Sequence, residues 1–364
     1  MLYKQALKQT NGKCIKDNLT PKFGVYALSK KMRKWGCEKV IRYIIKRLLW
    51  MIPVILGVTL IVMLLLELTP GDPARQLLGN FATEEEIAAA RETMGLNKPL
   101  PTRYFDYLSG VLHGNLGVSF FTKGSVWDDI LVRFPYTLLV VTISMLLAIV
   151  TGIPIGVYAA THQYSWKDNA SIVASLFCVS MPNFWFALIL VNVFATKLGW
   201  VPPLGIDSWK SWILPSISLS IGYSATLARQ TRSSMLEQIR QDYVTTARAK
   251  GQSEHKVIYR HALKNAMIPI ITIIGSVFGV SLGGAVIAET IFAIPGLGSY
   301  TLSALTSRDY PVVQGSVLYF AVMYSVILLL VDLVYTMVDP RIRSQFISSK
   351  KRITSKKKTD IEAV

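Results

Sequence analysis

Three carboxylates, Asp332, Glu67 and Glu289, stand within or beside long apolar runs of the chain. An ionisable group is costly in lipid, so each marks a place where a proton or ion relay could sit. Asp332 is the most embedded, and two readings of it stay open. One is an ion-coupling role; the other is a carboxylate within two turns of the interface that pairs with a neighbouring helix or snorkels. Glu67 and Glu289 fall near the ends of their runs. Other chemistry has little to stand on. The nearest fragment to a Walker A phosphate loop is "NGKC", and there is no HExxH, no Cys/His ligand spacing and no nucleophile elbow. Cys14, Cys37 and Cys178 have neither metal-ligand nor disulfide spacing. We therefore expect no catalytic, cofactor-binding or metal site in this chain.

The elements that hold these groups read as membrane helices. Of 364 residues 51% are hydrophobic and only 17% charged, too apolar for one soluble domain. A formal charge of +17 raises the question of nucleic acid, but the basic residues sit in blocks beside apolar runs rather than on one soluble face, so no nucleic-acid partner is expected. Six charge-poor windows are long enough to cross a bilayer: 48–66, then within 134–166 and 169–196, the serine-rich 211–228, 265–288, and 310–331 continuing to about 338. The expected fold class is thus an all-α membrane protein with six transmembrane helices and a long outer loop after the first.

Lys and Arg resist translocation. Segments 1–50, 161–169, 229–264 and 339–364 hold 30 of the 39, the alternate segments nine, which predicts both termini on the cytoplasmic side. The net charge then serves topology and attraction to anionic membrane lipid. The first apolar run is followed by "ELTPGDP" instead of a cleavage site, so it is expected to remain as a span, 41–67 with its flanks. Residues 1–40 read as a basic cytoplasmic extension and 344–364 as a basic cytoplasmic tail against the headgroups. Between them lie the extracytoplasmic loop region 68–134 and a core, 135–343, with five spans and a cytoplasmic loop at 236–265. In the outer region "TEEEIAAARETMG" predicts an exposed amphipathic helix with acidic residues in its first turn. Covering the mouth of a pathway, contacting an extracytoplasmic partner and forming an inert cap all fit it.

Two further patterns stand out. Gly275, Gly279 and Gly283 recur every four residues in the fifth window, leaving one helical stripe nearly bare for tight packing or for a smooth pathway wall. Before that window, "MLEQIRQDYVTTARAKG" is rich in helix formers, with Val244, Ala247 and Gly251 on one face. Gly251 then turns the chain. A second helix starts at Gln252 or Ser253 and places Val257, Ile258, Ala262 and Ala266 along one side. The polar side chains Arg248, Lys250, Glu254 and Lys256 stay available to a cytosolic partner. Docking and a basic loop that merely fixes topology both remain open.

The segment "DYVTTARAKGQSEHKVIYRHALKNAMIPIIT" closely resembles the cytoplasmic loop of inner-membrane permeases of binding-protein-dependent ABC importers, in the oligopeptide and dipeptide form. The resemblance covers 40–343. It includes "VIRYIIKRLLWMIPVILGVTLIVMLLLELTPGDPA", "GLNKPLPTRYFDYLSGVLHGNLGVSF" and "AETIFAIPGLGSYTLSALTSRDYPVVQGSVLYF" with "LVDLVYTMVDPRIR". Where the general importer motif has Glu-Ala-Ala, three residues and Gly, this chain has Thr245, Thr246, Ala247 and Gly251. At its end Leu263 fits, while His261 and Lys264 replace the usual Ile and Pro, and Pro269 comes five residues later. The resemblance implies a type I ABC importer permease fold and import of peptides, or alternatively of glutathione, nickel or metal chelates. It also implies a second homologous permease, two cytoplasmic ATP-binding subunits that bind ATP and Mg, and an extracytoplasmic substrate-binding protein. The coupling residues it implies are Ala247, Arg248, Ala249, Lys250, Gly251, Glu254 and Lys256. An ion-coupled secondary carrier acting alone is the rival from another class; it calls for repeats and midplane charges that the chain does not clearly show.

Overall fold

The computed structural model describes residues 22–79 and 81–338. The expected tail at 344–364, and residues 1–21 of the expected extension, lie outside them. The chain divides into Met1–Pro53, whose described residues are helical, and Val54–Val364, which carries the cap, the hairpin and the remaining helices. The described residues form helices and turns, with a single isolated bridge between Val118 and Ser125.

Helix α1 spans Lys22–Leu68, and its apolar part is Ile44–Leu68. Three short helices follow: α2 (Pro73–Leu78), α3 (Glu84–Thr93) and α4 (Leu100–Leu112). Their starts are locally encoded. Asp72 accepts the Ala74 N–H at 3.1 Å ahead of Pro73, whose missing N–H costs nothing at a helix start. Thr83 and Glu86 form a reciprocal capping box, Thr83 N–H to Glu86 Oε2 at 2.8 Å and Glu86 N–H to Thr83 Oγ1 at 3.3 Å. The acidic-first-turn helix expected from "TEEEIAAARETMG" is therefore α3, held inward by buried Ile87.

Ser125 caps α5 (Val126–Thr161), 36 residues that begin well before the apolar window at 134. At 1.5 Å per residue this helix is about 54 Å long, more than a bilayer core of about 30 Å, so it projects beyond the lipid. α11 (Leu263–Gly284), with the turns before it, and α14 (Tyr310–Val338) supply two more single spans. The span expected within 169–196 is bent by 94° between α6 (Trp166–Ser180) and α7 (Asn183–Leu190), which runs on to Lys197 as a wide turn. Pro182 is the cause. It lacks the N–H needed to continue α6, and Met181 before it takes the extended conformation, φ −73° and ψ 129°.

Of the six expected spans, four are thus single helices and one is this bent pair. The remaining one, α8 (Ile213–Ile239), is long enough at 27 residues but less apolar. Much of its surface is covered by neighbouring helices. Ser218 and Ser220 donate to the carbonyls of Pro215 and Ile217 at 2.8 and 2.9 Å, so these two buried hydroxyls are satisfied within the helix. α8 packs most extensively against α5. Gly152 and Gly156 permit this: a Cβ on either would lie 2.6 and 2.5 Å from the carbonyl oxygens of Ser224 and Ala228. The two ends of α5 then carry different structures, a cap of α2–α4 at its N-terminal end and a polar hairpin at its C-terminal end.

Candidate functional site

The hairpin consists of α9 (Asp242–Ala249), a turn at Lys250–Ser253, the short α10 (Glu254–Lys256) and a wide helical turn, Val257–Ala262, leading into α11. Its turn is a Schellman cap. The Gly251 N–H donates to Arg248 O at 2.9 Å and the Gln252 N–H to Ala247 O at 3.4 Å, with Gly251 in the left-handed region at φ +72°. The glycine expected to turn the chain does so here.

Val244, Ala247, Val257, Ile258 and Ala262 are buried and pack with Val157, Ala160, Met235, Ala266 and Ile270. Val244 and Ala247 of the expected small-residue face thus turn inward against the ends of α5, α8 and α11, while Gly251 stays at the exposed tip. Ala247, expected among the docking contacts, is only 6% exposed because it fills this interior. Arg248 and Glu254, expected to stay available to a cytosolic partner, are exposed and also hold each other, Nη2 to Oε1 at 2.6 Å and Nε to Oε2 at 3.1 Å. The pair holds the Arg248 guanidinium above its usual pKa, chiefly through the hydrogen bond to Glu254. Both side chains are substantially exposed, so the pair contributes at most about 1 kcal/mol. Burying Val244, Val257 and Ile258 contributes about 1.5–3 kcal/mol each. Packing, not charge, seats the hairpin. Its solvent side presents Ala249, Lys250, Gly251 and Lys256, together with Tyr243 and Tyr259, which the sequence reading missed. The i, i+4 spacing of His255 and Tyr259 was the available signal, since those rings stand 4.6 Å apart.

A second charged tie lies nearby. Asp168, 1% exposed, accepts from Arg232 Nε and Nη2 at 2.5 and 2.7 Å and from the Tyr164 N–H at 3.1 Å, fastening the start of α6 to α8. Two of the three carboxylates singled out as relay candidates are anchors instead. Arg103 reaches Glu67 at 2.8 Å. Glu289, in α12 (Val286–Ile291), is fully buried and accepts from the Thr137 hydroxyl at 2.6 Å and the Ser299 N–H at 2.8 Å. It thereby caps the start of α13 (Leu297–Ser307), and Thr137 in turn accepts the Leu297 N–H at 2.9 Å. Burial pushes the Glu289 carboxyl up, against the lowering effect of hydrogen bonds from Thr137, Ser299 and Gly298. Gly296 leaves room for it, since a Cβ there would overlap the carboxylate. Asp332 lies in α14, partly buried.

Gly275 and Gly279 are buried where Val331 and Tyr324 of α14 cross them, while Gly283 is exposed with nothing near its Cβ position. The stripe therefore packs within the chain over two of its three glycines. Among the described residues no group of three or more His, Cys, Asp or Glu side chains is placed to hold a metal ion.

A bundle of apolar spans with a polar hairpin at one end and a folded cap at the other is the architecture of a membrane transport subunit. Residues 152–344 match the model of the binding-protein-dependent transport system inner membrane component, and 40–141 match that of the N-terminal part of such membrane components. The chain belongs to this family of inner-membrane ABC importer permeases, with the type I permease fold, and ATP hydrolysis resides in separate subunits. It is 40% identical over 304 residues to the glutathione transport system permease protein of Escherichia coli O6:H1 and to that of Salmonella typhi, covering 84% of this chain and 99% of each relative. Among solved structures it is similar to a chain of the inward-facing MetNI methionine ABC transporter, with a TM-score of 0.49 and 17% identity, over 58% of this chain and 96% of that one. Membership sets aside the ion-coupled carrier acting alone.

Proposed function

We propose that this permease imports short peptides, glutathione included. It forms half of a translocation pathway whose other half is a second homologous permease. Two ATP-binding subunits, which bind ATP and Mg, engage the hairpin at 242–262, and an extracytoplasmic binding protein delivers the solute to the cap side. Both termini then lie in the cytoplasm. One observation carries the coupling reading: the hairpin's apolar face is buried in the ends of α5, α8 and α11 while its tip is exposed, so force applied to the tip passes directly into three spans. A loop that only fixed topology would need no such seating. The substrate reading is supported by the printed role of the relatives, a glutathione transport system, and by the resemblance of the outer and closing segments to peptide permeases. Nickel and metal chelates are the alternatives.

The test is uptake into proteoliposomes holding this chain and its partner permease, with ATPases and binding protein added or withheld. ATP-dependent accumulation of glutathione or a dipeptide is expected. Accumulation without the ATPases would overturn the coupling reading; accumulation of nickel or a metal chelate alone would overturn the substrate reading.

A further inference from the structure

Three consecutive side chains at the junction of α13 and α14 reach three stretches that flank the cap helices α2–α4: the turn before α2, the loop before α5 and the last turn of α1. Arg308, itself left-handed at φ +61°, donates from Nη2 to the Pro70 carbonyl, and its guanidinium occupies the space that a side chain at Gly71 would need. Asp309, 3% exposed, accepts from the Ser119 hydroxyl and from the Phe120 N–H at 3.1 Å. Ser119 Oγ in turn accepts the N–H groups of Phe121 and Thr122 at 3.2 and 3.0 Å, so the loop before α5 is organised around the atom that Asp309 holds. Tyr310 donates its hydroxyl to Leu66 O at 3.0 Å, at the last turn of α1. Close packing continues on both sides, where Pro311 lies against Gly117 and Val126 against Gly315.

We propose that Arg308, Asp309 and Tyr310 are positioning residues for transport: they staple the cap to the α13–α14 corner, so that cap and corner move as one body when the pathway opens and closes. The other end of the same corner is fixed by Glu289, which caps α13 and is held by Thr137 of α5. A displacement of α12 and α13 therefore reaches the cap through a buried carboxylate with two donors, a guanidinium on a carbonyl and a phenol on a carbonyl, none of which is a sliding apolar contact.

This inference rests on the permease reading above. ATP hydrolysis by the assembled wild-type complex reports on that reading alone, so the two can fail separately. In the full complex, with Cys14, Cys37 and Cys178 replaced by Ser, spin labels at Glu85→Cys on α3 and Ser303→Cys on α13 report the cap-to-corner distance without nucleotide and with ATP trapped. The expected wild-type distance is the same in both states to within about 2 Å, because interlocked elements shift together. Asp309→Ala is expected to broaden the distribution and make it nucleotide-dependent, and to lower uptake at least about fivefold while ATP hydrolysis persists, as for a lost coupling. Tyr310→Phe, which deletes one hydroxyl, is expected to do the same to a smaller degree and serves where Asp309→Ala does not assemble. A wild-type distance that changes by about 5 Å or more with nucleotide, the scale of one element ratcheting past another, overturns the proposal. So does a narrow, nucleotide-independent distance with wild-type uptake in both variants.

Discussion

Replacing Gly251 separates two ways in which the hairpin tip could matter. No atom lies within 4 Å of a Cβ built on Gly251, so a side chain there meets no steric obstacle within the chain. The backbone is another matter. At φ +72° an L residue other than Asn or Asp costs about 1–2 kcal/mol, and a β-branched residue costs more. Since about 1.4 kcal/mol is a factor of ten in an equilibrium, Gly251→Ala lowers the equilibrium constant for forming the Schellman turn several-fold to about tenfold or somewhat more, and Gly251→Val lowers it further. The buried contacts of Val244, Val257 and Ile258 outweigh this cost, so the variants remain folded and inserted. Initial uptake rates in proteoliposomes holding the complete complex, normalised to inserted protein, should follow the order Gly ≈ Asn > Ala > Val. Asn is expected within about twofold of wild type, because it tolerates the left-handed region. Wild-type uptake by Gly251→Val would refute the reasoning. Equal damage from Asn and Val would also refute it, pointing to the solvent side of the tip rather than to its backbone.

Removing one partner of the Asp168–Arg232 pair should destabilise the protein by several kcal/mol, about 3 at this partly exposed site, seen as a lower Tm in detergent. Asp168→Leu combined with Arg232→Met should recover much of that loss, and a double variant no better than the singles would contradict it. Gly156→Leu should prevent accumulation of folded protein because α8 backbone lies 2.5 Å from the new Cβ, whereas Gly283→Leu, with open space around it, should yield folded monodisperse protein in size-exclusion chromatography. Glu289→Ala leaves the Thr137 hydroxyl and the Ser299 N–H without their acceptor and should cost about 1–3 kcal/mol per group. Because burial raises the Glu289 pKa, its contribution to stability is fully present below the ordinary carboxylate value and is lost as pH rises through the raised value. Glu289→Gln should remove that pH dependence from the Tm profile.

Much of this architecture was legible in the residues, and the exceptions have physical causes. Long apolar runs located the spans, and local caps announced α3 and the Gly251 turn, because both depend on near neighbours. The bend at Met181–Pro182 was also written locally, yet a window that counts only charges passes over a proline. The direction of the hairpin's small-residue face was not legible. Periodicity assigns Val244 and Ala247 to one face, but whether that face meets its own helices or a partner depends on contacts made with Val157 and Ala160, far away in the chain. The roles of Glu67 and Glu289 were hidden for the same reason. Two of their donors, Arg103 and Thr137, come from distant segments, so an embedded carboxylate and an embedded anchor look alike in the sequence.

The most direct test is photocrosslinking from the hairpin tip in the intact complex. A benzophenone maleimide on Lys250→Cys or Lys256→Cys, in a background lacking the native cysteines, should attach to an ATP-binding subunit, and trapping ATP should change the yield. Attachment to lipid alone, or to the binding protein, would contradict the assignment of this hairpin as the place where ATP hydrolysis drives the spans.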